Sequence, residues 1–300
     1  MPDEAEEISA QPDPAPTTAP TAKRRRRLPW PLRFGLLILA AYLLVVIAMA
    51  FLENSLIFFP AVYPEGDWQP GDIAVEDAWF ETEDGFRLHG WYVAADHPRA
   101  VVLFAHGNGG NITHRIDILD ALPHALGASV LAFDYRGYGR SDGHPSEAGV
   151  LADARAARRW LAKRAGVAES QIVLMGESLG GAVVVDLAAE DGARGLVLES
   201  TFTSLPDVAA FHYPWLPVKL VMRSQLNSAA KIRDYHGPLL QFHGDMDRII
   251  PFKLGQRLFE AANEPKQFVI IPFGDHNDPR PRTFYEELDR FLGALPAQQP

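Results

Sequence analysis

The sequence predicts an α/β domain in which helices cover both faces of a mostly parallel β-sheet. Two observations carry this prediction. Six unbroken apolar runs, rich in Val, Ile and Leu, have the composition of strands buried on both faces. Helical patterns alternate strictly with these runs, as in sheets whose parallel strands are joined by helices. The runs cover residues 100–106, 129–135, 171–176, 195–200, 238–244 and 267–273.

The first 27 residues are expected to form a disordered tail. Residues 1–22 are rich in Pro, Ala, Thr and acidic residues, and they contain too few large apolar side chains to bury a core. The tail ends in five consecutive cations, Lys23–Arg27.

A membrane anchor is predicted over residues 28–52. Most of this segment, Phe34–Leu52, is uncharged and apolar. As a helix, this run would span about 28 Å, the thickness of a bilayer core. Because cations before a span stay in the cytoplasm, the folded domain, residues 53–300, is expected on the exported (periplasmic or extracytoplasmic) side. A cleaved signal peptide is the alternative, since Ala48–Ala50 has a small-x-small form. We favour a retained anchor because the apolar run is long.

A β-hairpin should precede the parallel strands. Residues 75–82 and 86–93 alternate apolar and polar side chains around the turn sequence Glu-Asp-Gly. In open α/β sheets, functional sites form at the carboxyl ends of the strands. The residues that follow each apolar run are therefore the candidates for function.

The third run leads into a G-x-S-x-G motif, residues 176–180, with Ser178 at its centre. A buried strand before it and a helical segment after it are the context of a nucleophile elbow. We expect a turn so tight that side chains in place of Gly176 or Gly180 would collide, with Gly181 letting the helix pack close. A phosphate-binding turn is disfavoured because neither GxxxxGK[ST] nor GxGxxG is present.

An exposed serine needs a base, and His276, directly after the last run, is the candidate. The acid that orients the base should follow the preceding run, in the order Ser, acid, His. Two aspartates lie there, Asp245 and Asp247. We prefer Asp247 because it lies further past the strand end, whereas Asp245 suits a turn. Asp278 is too close to His276 along the chain to orient its ring.

Two backbone N–H groups are candidates for the oxyanion hole. One belongs to Leu179, at the start of the helix behind the serine. The other belongs to Asn108, in the glycine-rich loop "HGNGGN" after the first run.

A short insert, residues 201–236, separates the fourth and fifth runs and implies an open cleft. Its aromatic residues either line an acyl-binding pocket or form the ordinary core of the insert. They are Phe202, Phe211, Tyr213 and Trp215, of which Phe202, Tyr213 and Trp215 are our candidates for substrate binding.

Composition excludes several functions. The chain has no cysteine, so disulfides, thiolate nucleophiles and cysteine-ligated metals are excluded. A net charge of −10 argues against a nucleic-acid binder. We expect no metal and no cofactor, and the sequence leaves the oligomeric state open.

Five motifs together carry a family resemblance. They are "HGNGGN", "DYRGYGRSDGHPSE", "GESLGG", "HGDMDRIIP" and "GDHND", in this order. Over about residues 52–295 the chain resembles the α/β-hydrolase superfamily, and more narrowly its membrane-anchored serine hydrolases, which include depalmitoylases and serine-aminopeptidase-like proteins. The resemblance implies Ser178 as nucleophile, Asp247 as acid and His276 as base. Gly109 departs from it, since relatives often carry Ala there.

The expected activity is hydrolysis of carboxylic esters or thioesters through an acyl-enzyme, on lipid-like or acylated substrates near the membrane. A serine peptidase or amidase of the same fold is one alternative. It would need a carboxylate cluster for an α-ammonium group, and nothing in the sequence singles one out. The other alternative is a catalytically silent, membrane-tethered binding module, which the filled Ser, Asp and His positions disfavour.

Overall fold

A computed structural model describes residues 28–71 and 73–296; the predicted tail, residues 1–27, lies outside them. The chain divides into two units at residues 44 and 45. Helix α1 (Trp30–Phe51) begins in the first unit and ends in the second. It is long and apolar enough to cross a membrane, either as an anchor or as a signal sequence.

The second unit contains the sheet. Strands β2 and β3 lie in the two predicted hairpin segments, and the other strands lie at or close to a predicted run, except the short strands β1 and β5. The strands in the described residues are β1 (Phe59–Pro60), β2 (Glu76–Glu81), β3 (Arg87–Val93), β4 (Ala100–Ala105), β5 (Gly109–Gly110), β6 (Ala128–Phe133), β7 (Val173–Glu177), β8 (Gly195–Glu199), β9 (Leu239–Gly244) and β10 (Lys266–Ile271).

Eight of these strands form one sheet in the order β10-β9-β8-β7-β4-β6-β3-β2. All neighbours are parallel except β3, which runs antiparallel to both β2 and β6. The predicted mostly parallel sheet, led by an antiparallel hairpin, is confirmed.

Helices cover both faces of this sheet. Beyond α1, the helices in the described residues are α2 (Glu53–Ile57), α3 (Ile116–His124), α4 (Glu147–Ala165), α5 (Leu179–Asp191), α6 (Leu205–His212), α7 (Val218–Val221), α8 (Ser228–Lys231), α9 (Phe252–Ala261) and α10 (Arg282–Ala294). Alternate side chains of one strand point to opposite faces. Leu103 of β4 packs in the core beneath α4, α5 and α9, whereas Val102 packs in the core beneath α3 and α10. Burial on both faces explains the unbroken apolar runs.

Residues 112–115 form a separate 3₁₀ turn before α3, because the Asn111 side chain accepts the Thr113 N–H at 3.0 Å and starts a tight turn there. The insert, residues 201–236, contains α6, α7 and α8, and we call it the cap.

Candidate active site

Ser178 occupies the turn between β7 and α5. Its backbone angles, φ 50° and ψ −115°, are rare for any residue but glycine. The turn is as tight as the motif predicts: a Cβ at Gly176 would lie 2.3 Å from the Gly180 carbonyl oxygen. A Cβ at Gly180 would lie 2.0 Å from the Ala105 carbonyl oxygen on β4. The Ser178 N–H donates to the Glu199 carbonyl at 2.8 Å, which ties the turn to β8.

His276 and Asp247 form a hydrogen-bonded pair at the same edge of the sheet. Strands β9 and β10 are parallel neighbours, so the loops that follow them meet. His276 Nδ1 donates to Asp247 Oδ2 at 2.7 Å. The other carboxylate oxygen accepts the N–H groups of Ile249 at 2.9 Å and Ile250 at 2.7 Å. Because Nδ1 carries the proton in this pair, Nε2 is left as the atom that can accept one.

A second histidine supports this carboxylate. His243 is fully buried, and its Nε2 lies 3.4 Å from Asp247 Oδ2. Burial alone would raise the pKa of Asp247, but the hydrogen bonds from His243, His276 and the Ile250 N–H outweigh burial and lower that pKa below its ordinary value. Asp247 therefore stays ionised at neutral pH and fixes the tautomer of His276.

Ser178 and His276 line one cavity of about 1020 Å³. Within the described residues no hydrogen bond joins the serine hydroxyl to the imidazole. Catalytic hydrogen bonds are often long in unliganded enzymes and tighten around the substrate. One wall of the cavity is apolar and includes Leu56, Phe59, Phe202, Leu205, Val208 and Ile250.

Asn108 and Leu179 also line this cavity. Leu179 is the first residue of α5, where backbone N–H groups have no partner inside the helix. The side chain of Asn108 is occupied elsewhere: its Oδ1 accepts the Tyr138 hydroxyl at 2.9 Å and the Phe59 N–H at 3.2 Å. The backbone N–H of Asn108, rather than its side chain, is therefore the better candidate for an oxyanion donor.

The structure separates the candidate substrate-binding residues. Phe202, 2% exposed, and Tyr213, 47% exposed, both line the cavity. Trp215 does not line it and is 58% exposed, so a role of this residue in substrate binding stays a prediction. The reason is local: α6 ends at His212, and the next residues form turns at the surface. Phe211 is likewise exposed and outside the cavity lining.

Known proteins with similar sequences identify the family of this chain. The chain is 34% identical to the α/β-hydrolase-domain-containing protein WAV2 of Arabidopsis thaliana, over 69% of this chain and 74% of that protein. The chain belongs to the α/β-hydrolase superfamily. A family model described as "Serine aminopeptidase, S33" matches residues 96–232 of this α/β hydrolase. An uncharacterized protein of Mycobacterium tuberculosis is 43% identical to it, over 80% of this chain and 87% of the relative.

A solved structure shares the fold. This α/β hydrolase superimposes on an esterase from Pyrococcus furiosus with a TM-score of 0.65, over 80% of this chain and 98% of that chain, at 22% identity. The resemblance predicted from the sequence motifs is confirmed at the level of the superfamily.

An ion-pair network that no motif predicted forms the second wall of the cavity in this α/β hydrolase. Arg280, with a side chain only 8% exposed, donates to Glu177 at 2.7 Å, to Glu199 at 2.8 Å and to Asp117 at 2.7 Å. Arg115 Nε donates to the other oxygen of Glu177 at 2.6 Å. Among residues 28–71 and 73–296, no group of three or more His, Asp or Glu side chains could hold a metal ion.

Burial and the neighbouring positive charges act in opposite directions on the pKa of Glu177 and of Glu199. Burial alone would raise the pKa of Glu177, but the charges of Arg115 and Arg280 and the Gly107 N–H lower it. Burial raises the pKa of Glu199; the positive charge of Arg280 opposes this, and the negative charge of Glu177 adds to it. The position of two residues in the sequence could have indicated this network. Glu177 and Glu199 stand at the ends of neighbouring parallel strands and pair with each other in the sheet.

Residues 57–61, at and after the end of α2, hold the glycine-rich loop that carries the candidate oxyanion donor Asn108. Strand β1 pairs in parallel with β5, with Phe59 opposite Gly109. The Ile57 carbonyl accepts Asn108 Nδ2, and the Ala61 carbonyl accepts Asn111 Nδ2 at 3.1 Å. The glycine-rich loop is thus fixed by the last residue of α2 and by the segment that follows this helix.

Proposed function

We propose that this α/β hydrolase is a serine esterase or thioesterase that works through an acyl-enzyme, with Ser178 as nucleophile, His276 as base and Asp247 as orienting acid. One observation carries the proposal. The 2.7 Å hydrogen bond from His276 to Asp247 lies beside a cavity that His276 shares with the strained Ser178.

In the first half-reaction, His276 Nε2 takes the proton of Ser178 Oγ while Oγ forms a bond to the acyl carbonyl carbon. The N–H groups of Leu179 and Asn108 donate to the resulting oxyanion. The carbonyl then re-forms, the C–O or C–S bond breaks, and His276 gives its proton to the leaving alcohol or thiol. Water, deprotonated by His276, attacks the acyl-enzyme and releases a carboxylic acid and free Ser178.

The lining of the cavity favours an acyl substrate over a peptide with a free N-terminus. The apolar wall, with Phe202, Leu205 and Val208, offers surface to a hydrocarbon chain. Peptidase activity, suggested by the description of the matching family model, is the second candidate. It is less well supported because Asp117, Glu177 and Glu199 are all paired with Arg280, which leaves them poorly placed to hold an α-ammonium group.

We further infer that α1 is a retained membrane anchor. Its length and exposed apolar surface support a membrane-spanning helix, and the cations Lys23–Arg27 support a cytoplasmic N-terminus. The hydrolase domain would then lie on the exported side.

The test of catalysis is covalent labelling of the full-length protein in detergent with a fluorophosphonate probe. We expect the wild-type protein to be labelled and Ser178→Ala to lose both the label and esterase turnover, the latter by several orders of magnitude. Ser200→Ala is the matched control, because Ser200 is the other serine in the cavity lining. It should keep the label. A labelled Ser178→Ala protein would contradict the assignment of the nucleophile.

The same preparations test the type of bond cleaved. We expect turnover of p-nitrophenyl esters and acyl thioesters to exceed turnover of aminoacyl p-nitroanilides. A preference for the anilides would favour the peptidase candidate.

A further inference from the structure

Four of the side chains that line the cavity are apolar and exposed. Leu56, Phe59, Tyr213 and Ile249 are 47%, 60%, 47% and 45% exposed. We call these four residues the apolar rim. They offer exposed hydrocarbon surface beside the cavity, which soluble proteins usually keep small.

The cap carries three further exposed apolar side chains. Phe211 is 59% exposed, Trp215 is 58% exposed and Leu220 is 87% exposed. All three lie within ten residues of one another, in α6, α7 and the turn between them. We call these three residues, together with Tyr213, Leu56 and Phe59, the apolar cap face.

Hydrogen bonds fix the cap to the end of α1. The buried carboxylate of Glu53 accepts the N–H groups of Arg223 at 3.0 Å and Ser224 at 2.6 Å. Arg223 Nη2 also donates to the Ala50 carbonyl at 2.9 Å, in the last turn of α1. Only two residues separate Leu220 from Arg223. The exposed cap residues are therefore held beside the point where the candidate membrane helix ends.

We propose that the apolar cap face rests on the bilayer that α1 enters, so that the cavity opens at the lipid surface. The proposal rests on the proposed membrane anchor. A bilayer fits this face because a tryptophan and a tyrosine, the residues of membrane–water interfaces, lie next to cations. Arg223 and Lys219 pair with Glu53 and Asp207, and their side chains are still 74% and 63% exposed. Exposed cations at a membrane surface are attracted to anionic lipid head groups.

This arrangement names the substrate class within the proposed function. An ester or thioester whose acyl chain lies in the bilayer could pass over the rim into the apolar wall without leaving a hydrocarbon environment. Water-soluble esters would have to enter from the aqueous side.

The absence of cysteine makes a direct test simple. Leu220→Cys is introduced into the full-length chain, labelled with an environment-sensitive nitrobenzoxadiazole dye and reconstituted into phospholipid nanodiscs. Ser170→Cys is the matched control, because Ser170 is exposed and precedes β7, at the edge of the sheet opposite the cavity. We expect a blue-shifted emission from residue 220 that is quenched by spin-labelled phospholipids, and neither effect at residue 170.

Two results would overturn the proposal. If the dye at residue 220 behaves as it does at residue 170, the face is exposed to water. If emission is blue-shifted but lipid spin labels do not quench it, the face is covered by protein, such as a second copy of the chain.

A second variant, Leu220→Glu, links the surface to substrate. We expect turnover of a long-chain acyl ester in the nanodisc to fall about tenfold, the change expected when burial of one leucine is lost. Turnover of a short soluble ester should stay unchanged; equal loss on both substrates would contradict the proposal. If the wild type cleaves neither ester and yet the dye at residue 220 is quenched by lipid, the docking surface stands and the proposed function fails.

Discussion

At the scale of single residues, the choice between Asp245 and Asp247 shows what a carboxylate needs in order to orient a histidine. Asp247 reaches His276 Nδ1, and its other oxygen is held by two backbone N–H groups. Asp245 instead accepts the Phe273 N–H at 2.6 Å and braces the loop that leads to His276. Position beyond the strand end predicted this difference, because Asp247 lies further past β9 and reaches His276 itself, whereas Asp245 reaches only the start of the loop after β10.

Asparagine substitutions at these two positions separate the roles. Asp247→Asn should lower esterase turnover by roughly a thousandfold or more, since the amide cannot hold His276 in the correct tautomer. Asp245→Asn keeps an oxygen that can accept the Phe273 N–H and should retain most activity. Steady-state kinetics with a p-nitrophenyl ester measure both. A larger loss in Asp245→Asn would reverse the assignment.

At the scale of secondary structure, the sequence revealed elements whose burial is periodic or complete. Strand β4 was predictable because every residue in it is buried and apolar, which gives an unbroken apolar run. The pairing of β1 with β5 was not predictable, because each of these strands has only two residues and so shows no periodic pattern. The Arg280 network escaped prediction for another reason: its partners come from separate parts of the chain and meet only after folding.

No sequence pattern predicts the hydrogen bonds between the cap and Glu53, because the partners are distant along the chain. The strength of this attachment should depend on pH. Burial tends to raise the pKa of Glu53, but hydrogen bonds from Ser224 and Arg223 outweigh it and lower that pKa. A lowered folded-state pKa means that the stabilisation is fully present above the unfolded-state pKa of about 4.3 and is lost as the pH falls through the folded-state value.

Glu53→Gln mimics the protonated carboxyl group. It should reduce the free energy of unfolding at pH 7 by about 2 kcal/mol, the typical contribution of hydrogen bonds to a charged acceptor. The difference from wild type should shrink as the pH falls below about 4.3, through the lowered folded-state pKa of Glu53. Urea unfolding of the full-length chain in detergent measures it. Glu81→Gln, at an exposed position on β2, is the control and should match wild type at every pH. A deficit for Glu53→Gln that does not change with pH would argue against the carboxylate as its source.

At the scale of the whole molecule, the loops after β4, β7, β9 and β10 bring Asn108, Ser178, Asp247 and His276 to one edge of the sheet. Parallel strands make this possible, because their carboxyl ends all face the same way. The order of the motifs along the chain was therefore sufficient to predict which residues lie together. The shape of the cavity was not predictable, since it depends on how the cap turns after α6, where Tyr213 lines the cavity and Trp215 does not.

Membrane topology is the remaining property of the whole molecule that sequence and fold together make testable. The test uses two single-cysteine variants, Ser9→Cys in the N-terminal tail and Ser170→Cys in the hydrolase domain. Cells in which the inner membrane is still closed, but any outer membrane has been permeabilised, are treated with a membrane-impermeant maleimide. If the cations Lys23–Arg27 hold the tail in the cytoplasm, Ser170→Cys should react at once and Ser9→Cys only after the inner membrane is permeabilised. Both should label a full-length chain in the membrane fraction. A shorter soluble chain that reacts at Ser170→Cys would mean that α1 is a cleaved signal sequence. Protection of Ser170→Cys would place the domain in the cytoplasm, and the docking surface would then face the inner leaflet.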